Sequence, residues 1–345
     1  MKIDYTPQLD FNSVLIRPKR TTISSRSQVS LERVFQFPNS KTTWTGVPII
    51  SANMDTTGTF EVYDVLSQFK MITCFNKFYT EEHFKNRMQE NKLNPEYFMI
   101  STGINESNID SLVRKVEITN AKWICIDVAN GYMREVVSFC SKIRDIFPNN
   151  IIVAGNVASR EMVEELIING KADVVKCGIG PGSACLTRRK TGVGVPQLST
   201  IIECADGAHG CGGTIIGDGG ITCPGDLAKA FGGGADFVMI GGQFAGHDEN
   251  PGSVEEINGK KYKLFYGMSS EHAMNKHYGS MASYRSSEGR VIKVPYKGPL
   301  KETVQDYLGG LRSCCAYINA HKIKHMSKCT TFLLVNQQLN THFEK

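Results

Sequence analysis

The sequence predicts an α/β fold, a single (β/α)8 TIM barrel with a long lid inserted after the eighth strand. Three observations predict it. Eight short, β-rich apolar runs recur at fairly even intervals, each followed by a polar or glycine cluster and then a helical pattern. Hydrophobicity within each run is continuous rather than alternating, as expected of parallel strands covered on both faces. The 345 residues leave room for a barrel, which takes about 250, plus one elaborated loop. Strand count alone does not show closure, so a doubly wound open sheet stands as the alternative, and the length also admits two domains.

The expected strands span 47–52, 71–75, 98–102, 123–128, 151–154, 174–177, 214–217 and 237–240. Between them, 161–168 (EMVEELII) carries apolar residues at helical spacing with carboxylates near its start. Pro224 marks a helix N-terminus, where its missing N–H costs nothing. From about 246 to 300 the pattern breaks into polar, glycine-punctuated sequence, too long for a simple connection and expected as a lid. A closing helix is expected from about 304 to 326, then a short apolar run at 332–335. The organisation expected is one barrel over 1–345, with the lid at about 246–300 and a C-terminal helix and tail at about 301–345.

Composition narrows the partners. Hydrophobic residues at 41% and charged residues at 21% fit an ordinary soluble protein. A net charge of +5 suits a small anionic ligand, and the basic runs are too short for a nucleic-acid stripe. The 11 cysteines include no C-x-x-C pair and no zinc-finger grouping, and free thiols in this number fit a reducing, cytoplasmic setting. No signal-type segment and no apolar run of about 18 residues occurs, so no membrane association is expected.

In such a barrel the chemistry stands at the C-terminal ends of the strands. Beyond the sixth strand, Gly178, Gly180 and Gly182 let the backbone turn sharply and expose its polar groups before delivering Cys185. The loop is neither a Walker loop nor a Rossmann fingerprint. Two readings of Cys185 fit at this point: a nucleophile among backbone amides with Arg188 and Arg189 behind it, or one small buried residue among eleven. Asp218-Gly219-Gly220 and Gly241-Gly242 follow the seventh and eighth strands, where barrels of this class often hold a phosphate; Ser183 and Ser269 add hydroxyl donors. Glu288 is a lone carboxylate in the lid, of interest for proton transfer if the lid closes over a substrate.

Gly178-Ile-Gly-Pro-Gly-Ser-Ala-Cys185-Leu-Thr187-Arg188, followed by Thr191-Gly-Val-Gly194-Val-Pro196-Gln197, closely resembles the cysteine loop of the IMP dehydrogenase/GMP reductase family. Pro48 to Asp55, Asp218 to Gly220 and Tyr266 to Ser270 resemble it too, and the likeness runs from about residue 9 to 338. Three features point to the reductase branch. There is no room for the dehydrogenase's regulatory insert. Its water-activating Arg-Tyr pair is missing from the lid. Tyr284-Arg285-Ser286-Ser287-Glu288-Gly289 is similar to the reductase's Y-R-A-S-E-G.

The resemblance implies NADPH-dependent conversion of GMP to IMP and ammonia, in purine nucleotide interconversion and salvage. Cys185 would attack C2 to give a thioimidate, with Thr187 and Glu288 managing the protons of ammonia. GMP would meet Ser183, Asp218, Gly219, Gly220, Gly241, Gly242, Gly267, Met268, Ser269, Arg285, Ser286, Ser287 and Gly289. NADPH would lie against Lys77, Asp127, Val128, Ala129, Gly180, Met268, Tyr284 and Arg285. Ser25, Arg26, Ser313, Cys314, Cys315 and Ala316 would reach in from a neighbouring subunit of a homotetramer. A monovalent cation of the potassium type would sit at Gly180, Gly182, Cys185 and Arg188.

The chain departs from the family at Cys177 and Leu186, and on the cofactor side at Asn76, Phe78, Cys314, Cys315 and Ala316, which leaves NADPH against NADH open. Two alternatives stand beside this reading: an IMP dehydrogenase lacking its insert, and a noncatalytic nucleotide-binding barrel, for which Cys185 would be dispensable.

Overall fold

The computed structural model describes residues 1–284 and 286–336. Eight parallel strands form the barrel: β1 Ile49–Ser51, β2 Ile72–Phe75, β3 Phe98–Thr102, β4 Trp123–Asp127, β5 Ile151–Val157, β6 Val174–Cys177, β7 Thr214–Asp218 and β8 Phe237–Ile240. Val238, Met239 and Ile240 pair with Ile49, Ile50 and Ser51, closing the ring and replacing the open-sheet alternative. Each strand is followed by a helix, from Phe60–Leu66 after β1 to Leu300–Tyr317 after β8. β1 to β4, β6 and β8 are buried along nearly their whole length, the reason for their unbroken apolar sequence.

Two cores result. One lies between strands and helices; the other fills the barrel, with Trp123, Phe237, Met99 and Ile216 inside it. The barrel's N-terminal end is plugged by an antiparallel hairpin, Arg33–Phe37 with Thr42–Gly46, to which the sequence reading gave no role. Its alternating burial turns Phe35, Phe37 and Trp44 inward. Phe35 stacks on Phe237 with centroids 4.3 Å apart, and Trp44 meets Trp123 edge-on at 5.6 Å. With one end sealed, the other carries the site.

Two expectations change. The closing helix ends at Tyr317 rather than near 326, because Asn319 takes a left-handed φ of 60°; short turns at Ile323–His325 and Met326–Cys329 follow. The lid is also more built than its polar sequence suggests. It holds a three-stranded antiparallel sheet (Glu255–Ile257, Lys260–Tyr266, Val291–Pro295) and a helix, Glu271–Tyr278. Its base is fastened by the buried Lys263, whose ammonium donates to the carbonyls of His247 (2.8 Å), Asp248 (3.3 Å) and Asn250 (2.6 Å). The apolar run near 332 forms strand Phe332–Leu334, which pairs with Val14–Ile16. No helix among the described residues is long and apolar enough to cross a membrane.

Candidate active site

The C-terminal ends of the strands open into a cavity of about 1440 Å³, roofed by the lid. β6 delivers the cysteine loop, and the lid meets it through backbone hydrogen bonds. Leu186 N–H donates to the Glu288 carbonyl (2.6 Å), and Arg290 N–H to the Ala184 carbonyl (2.9 Å). Cys185 and Gly289 thus sit across an antiparallel bridge. The approach is that close because Gly267 has no side chain, and Gly289 lets the lid's own backbone pack tightly behind it. A Cβ on Gly267 would lie 2.9 Å from the Ala184 oxygen, and one on Gly289 would lie 2.6 Å from the Ser270 nitrogen.

This docking assembles three side chains from two distant segments. The Cys185 thiol donates to Thr187 Oγ1 at 3.2 Å, and the Thr187 hydroxyl donates to Glu288 Oε2 at 2.6 Å. Cys185 is half-buried at the cavity wall, linked by hydrogen bonds through Thr187 to a carboxylate.

Beside it three loops converge. Gly219 (φ 93°) and Gly220 (φ 83°) turn in the left-handed region after β7. A Cβ on Gly242, after β8, would lie 2.7 Å from the Ser183 hydroxyl, and one on Gly219 would lie 3.3 Å from the Gly182 nitrogen. The backbone there forms a concave cradle that side chains would fill, suited to an anion.

The floor holds a residue to which sequence reasoning gave no role. Lys176, fully buried on β6, forks between Asp127 at the end of β4 (2.8 Å) and Asp218 at the end of β7 (2.9 Å). Asn156, from β5, donates to the same Asp218 (2.8 Å) and to the Gly178 carbonyl (2.8 Å). Burial alone would drive Lys176 toward its neutral form, but the two carboxylates outweigh it and hold its pKa well above that of an ordinary lysine. Burial likewise raises Asp127, and the Lys176 charge and hydrogen bond overcome this to leave it lowered. The signal was available: a charge inside the apolar run Val174-Val175-Lys176-Cys177 needs a buried partner.

A second cluster ties the lid helix to the β1 loop. Asp55 accepts from His277 (2.6 Å), Tyr266 (2.8 Å) and Lys276 (3.0 Å), and His277 stacks on Phe78 at 3.4 Å. The Asp55 N–H points to the Met268 sulfur at 3.3 Å.

Among the expected site residues, Cys185, Thr187, Glu288, Ser183, Asp218, Gly219, Gly220, Gly241, Gly242, Gly267, Met268, Ser269 and Gly289 line the cavity, as do Lys77, Asp127, Val128, Ala129, Gly180 and Gly182. Ser286 and Ser287 lie outside its lining, Ser287 donating to the Gly289 carbonyl (2.8 Å). Tyr284 is 84% exposed at the lid's rim, and Arg285 lies outside the described residues. Arg188 packs beneath the loop, where a Cβ on Gly180 would lie 2.7 Å from its Cγ, and it donates to the Val195 carbonyl at 2.7 Å. The short turn Arg26–Gln28, capped by Ser25, packs with helix Leu300–Tyr317, which carries Ser313 to Ala316; none of these expected residues lines this chain's own cavity. Cys315 is turned fully into the core of its own subunit, so its thiol presents no surface to a neighbour.

A closed (β/α)8 barrel whose strand ends gather a cysteine, a threonine and a carboxylate in one hydrogen-bonded line beside a glycine-lined backbone cradle has the form of an enzyme active site. The chain belongs to the IMP dehydrogenase/GMP reductase family, whose domain it matches over residues 8–341. It is 54% identical to GMP reductase 1 of Mus musculus over 343 residues and to GMP reductase 2 of Homo sapiens over 344, each alignment covering 99% of both chains. It is also 54% identical to GMP reductase of Salmonella newport (strain SL254) over 347 aligned residues, again 99% of both.

Proposed function

We propose that this chain is a GMP reductase, an oxidoreductase that turns GMP into IMP and ammonia with hydride from NADPH. The relay from Cys185 through Thr187 to Glu288 carries the reading. The Cys185 thiol passes its proton along the relay, and Sγ bonds to C2 of the guanine. An amine leaves poorly unless protonated, and Glu288 returns the proton through Thr187 to the departing ammonia, leaving the thioimidate. NADPH, when bound, supplies the hydride that C2 takes up as the C2–S bond breaks and the thiolate departs. The cavity, larger than the roughly 300–1,000 Å³ of a usual single-ligand pocket, fits a substrate and a dinucleotide together.

The Ser183, Gly219, Gly220 and Gly242 cradle would hold the phosphate of GMP, and Asp218 its ribose. Lys77 and Asp127 to Ala129 would face NADPH. The cysteine loop offers the carbonyl oxygens of Gly180, Gly182 and Cys185, hard donors of the kind an alkali cation takes. This supports a monovalent cation such as potassium at Gly180, Gly182 and Cys185, with Arg188 as part of its support. The location of Ser25, Arg26, Ser313, Cys314 and Ala316 supports their serving a neighbour's cavity in a homotetramer, and the free thiols fit the cytoplasm.

The test follows nicotinamide absorbance with GMP plus NADPH, and separately with IMP plus NAD. Oxidation in the first mixture and none in the second is expected. The reverse would make the chain a dehydrogenase, and silence in both a binding module. Cys185→Ala should bind GMP yet neither release ammonia nor oxidise NADPH; turnover in that variant would remove the covalent step.

A further inference from the structure

The closed barrel places the loop beyond β3 between the loops beyond β2 and β4, which carry Lys77 and Asp127. Those flanking loops are the ones read above as facing the cofactor, and the inference rests on that reading. The cavity continues over the β3 loop onto helix Ile109–Thr119, where Asn108, Ser111 and Lys115 line it. Asn108 is the residue before the helix, and the spacings of three and four put all three on one face. A barrel helix ordinarily turns an apolar stripe inward; here Leu112 keeps that role, and the polar Asn108, Ser111 and Lys115 reach the cavity beside it.

Lys115 is half-buried and differs from Lys176, the buried lysine of the cavity floor. Lys176 is matched by two carboxylates. Among the described residues Lys115 has none within 4 Å: the nearby Glu81 is engaged by Arg114 at 2.8 Å. Burial pushes the Lys115 ammonium below the usual lysine range, with Glu81 offsetting this only in part. An anion placed there would relieve a desolvated, unpaired charge.

We propose that Lys115, with Asn108 and Ser111 beside it, is an anion subsite that takes a phosphate group of the dinucleotide cofactor. Two groups share that chemistry, the ribose 2′-phosphate and the pyrophosphate.

The experiment titrates NADP⁺ and NAD⁺ into the full-length protein with IMP present, by calorimetry, for wild type, Lys115→Met, Lys115→Arg and Lys92→Met. Lys115→Met should weaken NADP⁺ binding about tenfold, the scale of one charge-assisted hydrogen bond, and Lys115→Arg should restore most of it. Loss confined to NADP⁺ assigns the 2′-phosphate, and equal loss with NAD⁺ assigns the pyrophosphate. Undiminished affinity for both, or an equal loss in Lys92→Met at an exposed position outside the cavity, would overturn the proposal. Titration needs no turnover. A protein inert toward GMP and NADPH would therefore refute the reductase reading while the titration still decided the subsite.

Discussion

Thr187 donates its hydroxyl proton to Glu288 across 2.6 Å although 101 residues separate them in the chain. The bond exists only because the lid lies on the cysteine loop, so it makes proton transfer conditional on closure. Glu288→Gln keeps the shape but cannot accept the proton. We expect kcat to fall by about 10²–10⁴, the usual worth of a positioned acid–base group, with the KM for GMP changed far less. Ammonia release in single-turnover reactions checks it; unchanged release would dismiss Glu288 as the proton partner.

Closure itself depends on Gly267 at the seam. In Gly267→Ala the new methyl would stand 2.9 Å from the Ala184 oxygen across the seam, and backbone cannot yield as a flexible side chain would. The seam should open, separating Glu288 from Thr187. The barrel makes no use of this contact, so the far-ultraviolet dichroism should stay native while kcat drops at least about tenfold and stability falls by about 1–3 kcal/mol. Wild-type kcat in this variant would show that the relay does not need the seam.

Lys176 ties Asp127 and Asp218 together across the floor. Lys176→Met would leave two carboxylates facing each other without their cation, which should cost about 3–5 kcal/mol in urea unfolding. If the fork positions both carboxylates, the KM values for GMP and NADPH should rise together. Adding Asp127→Asn to Lys176→Met should recover part of the stability, a coupling that a double-mutant cycle measures. Additive losses would reduce Lys176 to an independent core residue.

What the sequence made legible follows from which forces act locally. The barrel strands could be read because each is buried on both faces, giving runs such as Trp123–Asp127 that no surface strand would have. Cys185 and its glycine loop were legible because backbone turns demand glycine at fixed places, Gly178 and Gly180 among them. The hairpin plug was passed over because half of its residues face solvent, and Phe35 and Trp44 find Phe237 and Trp123 only across the chain. The Thr187–Glu288 bond, the Lys176 fork and the Asp55 cluster are pairings between remote segments, which no local pattern encodes. The Lys115 face lay in an ordinary amphipathic helix, and only the cavity's course along it gives it meaning.

The Asp55 cluster makes a prediction about acid. Burial by itself would raise the Asp55 carboxyl, but hydrogen bonds from His277, Lys276 and Tyr266 outweigh it and leave the folded pKa below the ordinary 3.8. A carboxylate with a depressed folded pKa stabilises fully above its unfolded value and loses that contribution as pH falls through the folded one. Lys276 has the opposite sign: burial lowers it, the bonds to Asp55 and Tyr266 more than compensate, and its raised pKa keeps its contribution intact until pH climbs past 10.5. Asp55→Asn retains the volume but loses the charge, and should cost about 1.5–3 kcal/mol at neutral pH, the range for hydrogen bonds to a charged group. In thermal melts between pH 3 and pH 8, the gap between wild type and Asp55→Asn should stay constant down to about pH 4 and narrow below it. A gap independent of pH to the acid end would mean that the cluster stabilises by shape and neutral hydrogen bonds, and that the Asp55 charge holds nothing in place.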